Sequence, residues 1–273
     1  MPESTPCSWF EPWWERYVEV APQAEAIRTL LRPRGGVCAM DHVAIRTPGT
    51  QGFDLAALEG PILEAGYQRF DTYIFDVKGL RAASYSHEGG GLPRIFVSEL
   101  VVDSLDDAAR LALESCVARQ SGSCARHLWE GHRWQPATAT EYDVLSAKSE
   151  YAAWVAAFGI RVNHFTLGLN QLDGIDSLGE LCARLRGAGI ELNGGEVPIQ
   201  GSPSAGLEQC STVAQLVPHV LGCGAKRRLR GCYVEFARRY VDAAGVLFDG
   251  FIAGQADKIF ESTDMRRAGV DGV

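Results

Sequence analysis

No stretch of the 273-residue chain is apolar for long enough to cross a bilayer. The longest nearly uncharged run, Tyr151–Ile160, falls far short of the ~20 residues a spanning helix needs. The eight cysteines include no CxxC pair, so neither a zinc knuckle nor a redox dithiol is indicated, and reduced, mostly buried thiols are expected. GxGxxG, GxxxxGK[ST], GxSxG and HExxH are all missing, and nucleotide-binding and serine-hydrolase readings lose their usual signals. Basic residues are the minority: 26 Lys and Arg against 34 Asp and Glu leave a net charge of -8. That balance argues against nucleic acid or an anionic membrane as the main partner and leaves small molecules or proteins. The first residues carry neither a basic start before an apolar core nor an Arg/Ser-rich, acid-poor leader, so a cytoplasmic chain is expected.

What is present is an ordinary globular composition, 46% hydrophobic and 22% charged, enough to bury a full core. Two segments repeat one pattern. In CAMDHVAIRT, Val43 and Ile45 alternate with His42, Ala44 and Arg46, the period of a strand with one polar face. RVNHFTLGLN repeats it, with Phe165, Leu167 and Leu169 on one face and His164, Thr166, Gly168 and Asn170 on the other. An amphipathic stretch follows each, FDLAALEGPILEAGY and LGELCARLRGAGI, the first expected to kink or split at Pro61. Strand-like runs come next: DTYIFDV, RAASYSH and PRIFVSEL in the first half, and further candidates in the second. His42 precedes Gly66 by 24 residues and His164 precedes Gly189 by 25, a weak internal repeat.

The fold class is therefore α+β: paired βαβββ modules forming a cupped mixed sheet, with added helices. One composite domain over 1–273 is expected. Its parts are an N-terminal helical cap (1–36), a first module (37–103), a helical insert (104–158) opening on a Ser104/Asp107 capping box, and a second module (159–264).

A third polar-face residue joins the two histidines. In CYVEFARRY, Val234 and Phe236 alternate with Tyr233, Glu235 and Ala237. A carboxylate among aromatic and aliphatic neighbours is costly to bury unless it is paired, hydrogen-bonded or bound to metal. His42, His164 and Glu235 thus form a candidate two-His-one-carboxylate facial triad, the set that leaves positions open on Fe(II). The competing reading has hydrogen-bonded sheet histidines, with Glu235 paired to Arg238 or Arg239. Separations of 122 and 71 residues are too long for a local motif. Arg46 lies four residues after His42 on the same face, about 13 Å along at ~3.3 Å per residue. It could grip a substrate carboxylate bidentately, or pair with a neighbouring acid. Glu99 shares the parity of Ile95 and Val97, which favours a structural role. His87, His127, His132 and His219 are expected at the surface, and Lys226–Arg230 in a solvated turn.

Several longer blocks carry a resemblance. DHVAIRT, the PQA of APQAEAI, LPRIFVSEL, SEYAAWVAAFGIRVNHFTLGLN, LEQCST, YVEFARR and GFIAGQADKIFEST together resemble the DUF1338 family, associated with 2-oxoadipate dioxygenase/decarboxylase, in its short form. The resemblance runs over about residues 10–264. It implies a fold similar to the vicinal oxygen chelate class and an Fe(II) cofactor on His42, His164 and Glu235. It also implies Arg46 as the catalytic, substrate-binding arginine, and a substrate-lining loop near Gly254 and Gln255.

The implied reaction takes a small 2-oxo acid and O2, converting 2-oxoadipate to 2-hydroxyglutarate and CO2 in lysine breakdown. It needs no nucleic-acid or membrane partner, and no oligomeric state is implied. Three alternatives stay open. The same iron chemistry could act on another 2-oxo acid, since pocket shape selects the substrate. A metal-dependent isomerase or lyase of the vicinal oxygen chelate class would use no oxygen. A binding protein with a vestigial site would hold no iron.

Overall fold

The computed structural model describes residues 7–252, 254 and 260–263. Helices α1 (Cys7–Val18) and α2 (Gln23–Leu31) precede β1 (His42–Thr47), α3 (Leu55–Glu64), β2 (Tyr67–Phe75), β3 (Leu80–His87) and β4 (Arg94–Leu100). Four helices follow: α4 (Asp107–Ala118), α5 (Cys124–Leu128), α6 (Ala139–Lys148) and α7 (Glu150–Phe158). Then come β5 (Arg161–Gly168), α8 (Leu178–Gly187), β6 (Gln200–Ser202) and β7 (Leu207–Ser211). The strands β8 (Leu216–Val220), β9 (Lys226–Arg230) and β10 (Tyr233–Arg239) complete the order. The expected βαβββ unit is thus present twice, and in the second copy the β8–β9 hairpin is inserted before the last strand.

Eight strands form one sheet in the order β2-β3-β4-β1-β5-β10-β7-β6. Within each unit the first strand pairs in parallel with the last, β1 with β4 and β5 with β10. The antiparallel β1–β5 pair joins the units at the centre. These middle strands are buried on both faces, as strands sandwiched between layers must be. The aliphatic and aromatic parity faces the helices: Trp14 and Tyr17 of α1 each set their rings 5.1 Å from that of Phe165. The polar parity of β1, β5 and β10 is left for the opposite side of the sheet.

Several local expectations are corrected. Helix α3 runs unbroken through Pro61, because fully buried Leu58 and Ile62 anchor it on either side and Asp54 caps its start by accepting from Ala57 N at 2.9 Å. Asp106, rather than a Ser104/Asp107 box, caps α4, accepting from Ala109 N at 2.9 Å. Lys226–Arg230 is no turn but strand β9, where alternation buries Leu229 and sends Arg227 to the Asp143 carboxylate. His127 is buried, its ring nitrogens 3.1 and 3.0 Å from the carbonyls of His132 and Ser121. Among the described residues five of six free thiols are buried as expected, but Cys38 is disulfide-bonded.

Candidate metal centre

Register across three neighbouring strands decides which side chains meet. His42 of β1 pairs with Thr166 of β5, Ala44 with His164, and Thr166 in turn with Glu235 of β10. Thr166 therefore stands between His42 and Glu235, and His164 lies two residues back on the same face. One ligand atom from each of His42, His164 and Glu235 lies within 4.8 Å of the others. His42 Nε2 is 3.4 Å from Glu235 Oε1, and His164 Nε2 is 3.2 Å from Oε2. All three residues are buried.

Each histidine is aimed through its second ring nitrogen. His42 Nδ1 donates to Asp41 Oδ1 at 2.7 Å, the tautomer that turns the Nε2 lone pair toward Glu235. Arg239 grips the same Asp41, Nε to Oδ2 at 2.7 Å and Nη2 to Oδ1 at 2.9 Å, and also donates to the carbonyl of Gly250 at 2.8 Å. Burial would raise the Asp41 carboxyl, but Arg239 and His42 hold it far below the ordinary range. His164 has a weaker support: its Nδ1 is 3.4 Å from the neutral amide oxygen of Asn163. The reading in which Glu235 pairs with Arg238 or Arg239 fails, since Arg239 is committed to Asp41 and Arg238 donates to the Asp176 carbonyl.

The electrostatics suit a cation. Burial lowers both histidines, keeping them neutral, with His42 and Arg46 adding to the effect on His164. Burial pushes Glu235 up to about 8, although Gln209 Nε2 donates to its Oε1. A buried carboxylate facing two neutral imidazoles is costly on its own; a divalent ion at their convergence removes that cost. Neutral imidazole and ionised carboxylate are also the forms that bind metal. The donor set is of the two-His-one-carboxylate kind that suits Fe(II), so the residues fit the implied cofactor.

Arg46 is buried on the same side of β1 as His42. Its guanidinium lies over the rings of Tyr151 and Trp154, 4.9 and 5.0 Å from their centroids. Nη1 reaches Glu150 Oε1 at 3.3 Å and Nη2 reaches Thr263 Oγ1 at 3.1 Å. An acid partner is therefore present, as one of the two sequence readings expected. Gly254 is exposed, and no described residue comes within 4 Å of where its Cβ would stand, while Gln255 lies outside the described residues.

Residues that sequence reasoning did not single out complete the surroundings. Phe251 sets its ring edge-on to His42, centroids 4.8 Å apart, and 5.1 Å from Phe96. Asp41 carried a faint signal, an acid directly before the strand histidine; Phe251 and Gln209 carried none.

Comparison with known proteins agrees with this architecture. A family model described as 2-oxoadipate dioxygenase/decarboxylase matches residues 19–245. The chloroplastic 2-oxoadipate dioxygenase/decarboxylase of Arabidopsis thaliana is 32% identical over 250 residues, 82% of this chain and 67% of that protein. The structure of hydroxyglutarate synthase from Oryza sativa in complex with 2-oxoadipate superposes with a TM-score of 0.84 at 29% identity, covering 98% of this chain and 95% of that one. A glyoxalase superfamily protein from Ralstonia eutropha JMP134 shares the fold, with a TM-score of 0.72 at 22% identity over 89% and 84% of the two chains. That likeness bears out the expected vicinal-oxygen-chelate-like architecture. No helix among the described residues is long and apolar enough to cross a membrane, and the Arabidopsis relative is named for the chloroplast rather than the cytoplasm. The matched span and the identity to the curated relative place this chain in the 2-oxoadipate dioxygenase/decarboxylase family.

Proposed function

We propose that the chain is an Fe(II)-dependent dioxygenase converting 2-oxoadipate and O2 to 2-hydroxyglutarate and CO2, with the metal on His42, His164 and Glu235. The observation that carries this reading is the convergence of three buried ligand atoms within 4.8 Å in a chain of this family. When bound, the metal would supply Lewis acidity toward the 2-oxo acid and redox chemistry toward dioxygen. The balance closes with no second organic cosubstrate: the six carbons and seven oxygens entering leave as a five-carbon hydroxy diacid and CO2.

The chain's own groups do the positioning. Asp41, braced by Arg239, keeps His42 in one tautomer and one orientation. Phe251, itself packed on Phe96, sets an apolar ring against His42. Arg46 is the group for the substrate's distal carboxylate, its plane held by Tyr151 and Trp154. Its 3.3 Å contact to Glu150 is longer than the ~2.7–2.9 Å of a strong charge-assisted bond, so an incoming carboxylate can compete for the same donors.

The test is oxygen uptake by protein reconstituted anaerobically with Fe(II) and then given 2-oxoadipate, 2-oxoglutarate or a monocarboxylic 2-oxo acid. Uptake confined to 2-oxoadipate, with one CO2 and 2-hydroxyglutarate formed, is the expected result. No uptake with any 2-oxo acid despite bound iron would turn the reading to a non-oxygenase isomerase or lyase. Arg46→Ala should raise the KM for 2-oxoadipate about tenfold or more, the scale of one lost charged hydrogen bond, and an unchanged KM would remove its assigned role.

A further inference from the structure

A cavity of about 1110 Å³ opens between α1, the end of α7, the start of β5 and β8, and neither the triad nor Arg46 lines it. Its wall carries Arg16, Arg119, Arg133 and Arg161 together with three histidines, while Glu19 is the single carboxylate among the described lining residues. In a chain of net charge -8 this is a local reversal of sign.

Among the described residues most of that charge lacks a close counter-ion. Arg119 is matched by Glu141 through two 2.7 Å bonds, but Arg161 meets Glu19 only at 4.0 Å, on a side chain 70% exposed. Arg161 Nη2 donates to the backbone carbonyl of Arg16, and its Nε is buried with no partner. Arg16 donates to the neutral carbonyls of Leu128 and Pro12. Burial and the neighbouring Arg161 both lower the pKa of Arg16, the mark of two guanidiniums held on one part-buried wall. His219 packs on Phe158, ring centroids 4.6 Å apart, and leaves Nε2 buried without a partner; His132 Nδ1 is in the same state. Donors without acceptors, cations without counter-ions and flanking aromatic rings are what a concave site for an organic anion presents.

We propose that this cavity binds a small multivalent oxyanion, a metabolite carrying phosphate or clustered carboxylates, gripped by Arg16 and Arg161 with the Nε2 edge of His219 beside it. The full-length protein would be titrated calorimetrically at low ionic strength with glycerol 3-phosphate and, in a separate arm, with tricarballylate. The arms separate phosphate from carboxylate as the recognised group. At least one probe should bind one equivalent per chain. Its affinity should fall about tenfold or more in Arg161→Gln and in Arg16→Gln, the scale of one lost charged hydrogen bond, and stay unchanged in Arg46→Ala. Arg161 also ties β5 to α1, so His219→Gln, which spares that tie, is the second variant and should weaken binding a few-fold. A probe that fails to bind at millimolar concentration in both arms overturns the proposal. So does an affinity indifferent to all three cavity substitutions, or one lost in Arg46→Ala.

Discussion

The two βαβββ units share one frame and carry different chemistry. In the second, His164 lies across from Tyr233, and the next pair on that face is Thr166 with Glu235. In the first, His42 lies across from Arg94, and the next pair is Ala44 with Phe96. Phe96 thus occupies in one unit the place that Glu235 occupies in the other. Glu99, which proximity in sequence suggests as the counterpart, points the other way: it accepts from Leu55 N at 2.7 Å at the start of α3 and pairs with Arg81. Two matching units would surround a metal with four protein ligands. The exchange of a carboxylate for a phenyl ring leaves three, and with them the open positions an oxygenase needs.

That contrast can be broken most severely at Glu235. Glu235→Gln should reduce iron, measured by elemental analysis, below a tenth of an equivalent per chain, a larger loss than the roughly 100-fold cost of removing a supporting partner. Phe96→Leu should leave the iron content intact; an equal loss there would erase the difference between the units. Next in size is the support of the two histidines. Asp41→Asn should weaken metal affinity roughly 10- to 100-fold in competition with a chromophoric chelator, whereas Asn163→Ala should cost only a few-fold, because its contact to His164 is long and neutral. Similar losses in both would show that the histidines are held alike.

Smaller effects separate structure from chemistry. Glu99→Gln should lower stability by about 1–3 kcal/mol in denaturant unfolding, with metal content unchanged, if Glu99 only anchors α3 and Arg81. The smallest effect lies outside both units. Bonds from Arg119 hold the Glu141 carboxyl down to about 2 from an ordinary 4.5. The folded value is the lower one, so the stabilisation is complete above pH 4.5 and is lost as pH falls from there toward 2. Glu141→Gln should flatten that part of the acid limb in thermal unfolding, and an unchanged limb would show that Glu141 contributes nothing there.

Strand parity is a local property, set by the two-residue alternation of side chains. For that reason β1, β5 and β10, the α+β class, the polar faces and the trio His42, His164 and Glu235 were all legible from the order of residues. So was the repeat of the βαβββ unit, because a 24- or 25-residue interval recurs within short segments. Helix breaking was less legible: Pro61 sits inside a continuous helix because packing on both sides of it outweighs one missing hydrogen bond.

Register between strands and contacts between distant segments depend on how the whole chain packs. They decided that Phe96 rather than Glu99 holds in the first unit the place that Glu235 holds in the second, and that Arg239 serves Asp41 across 198 residues instead of pairing with Glu235. They also brought Phe251 over His42 and gathered Arg16, Arg161 and His219 into one basic wall. Residue order alone determined which side chains could share a face. Only the tertiary structure decided which of them meet, because a pairing between distant residues is settled by the free energy of packing the full fold and not by the periodicity of either segment.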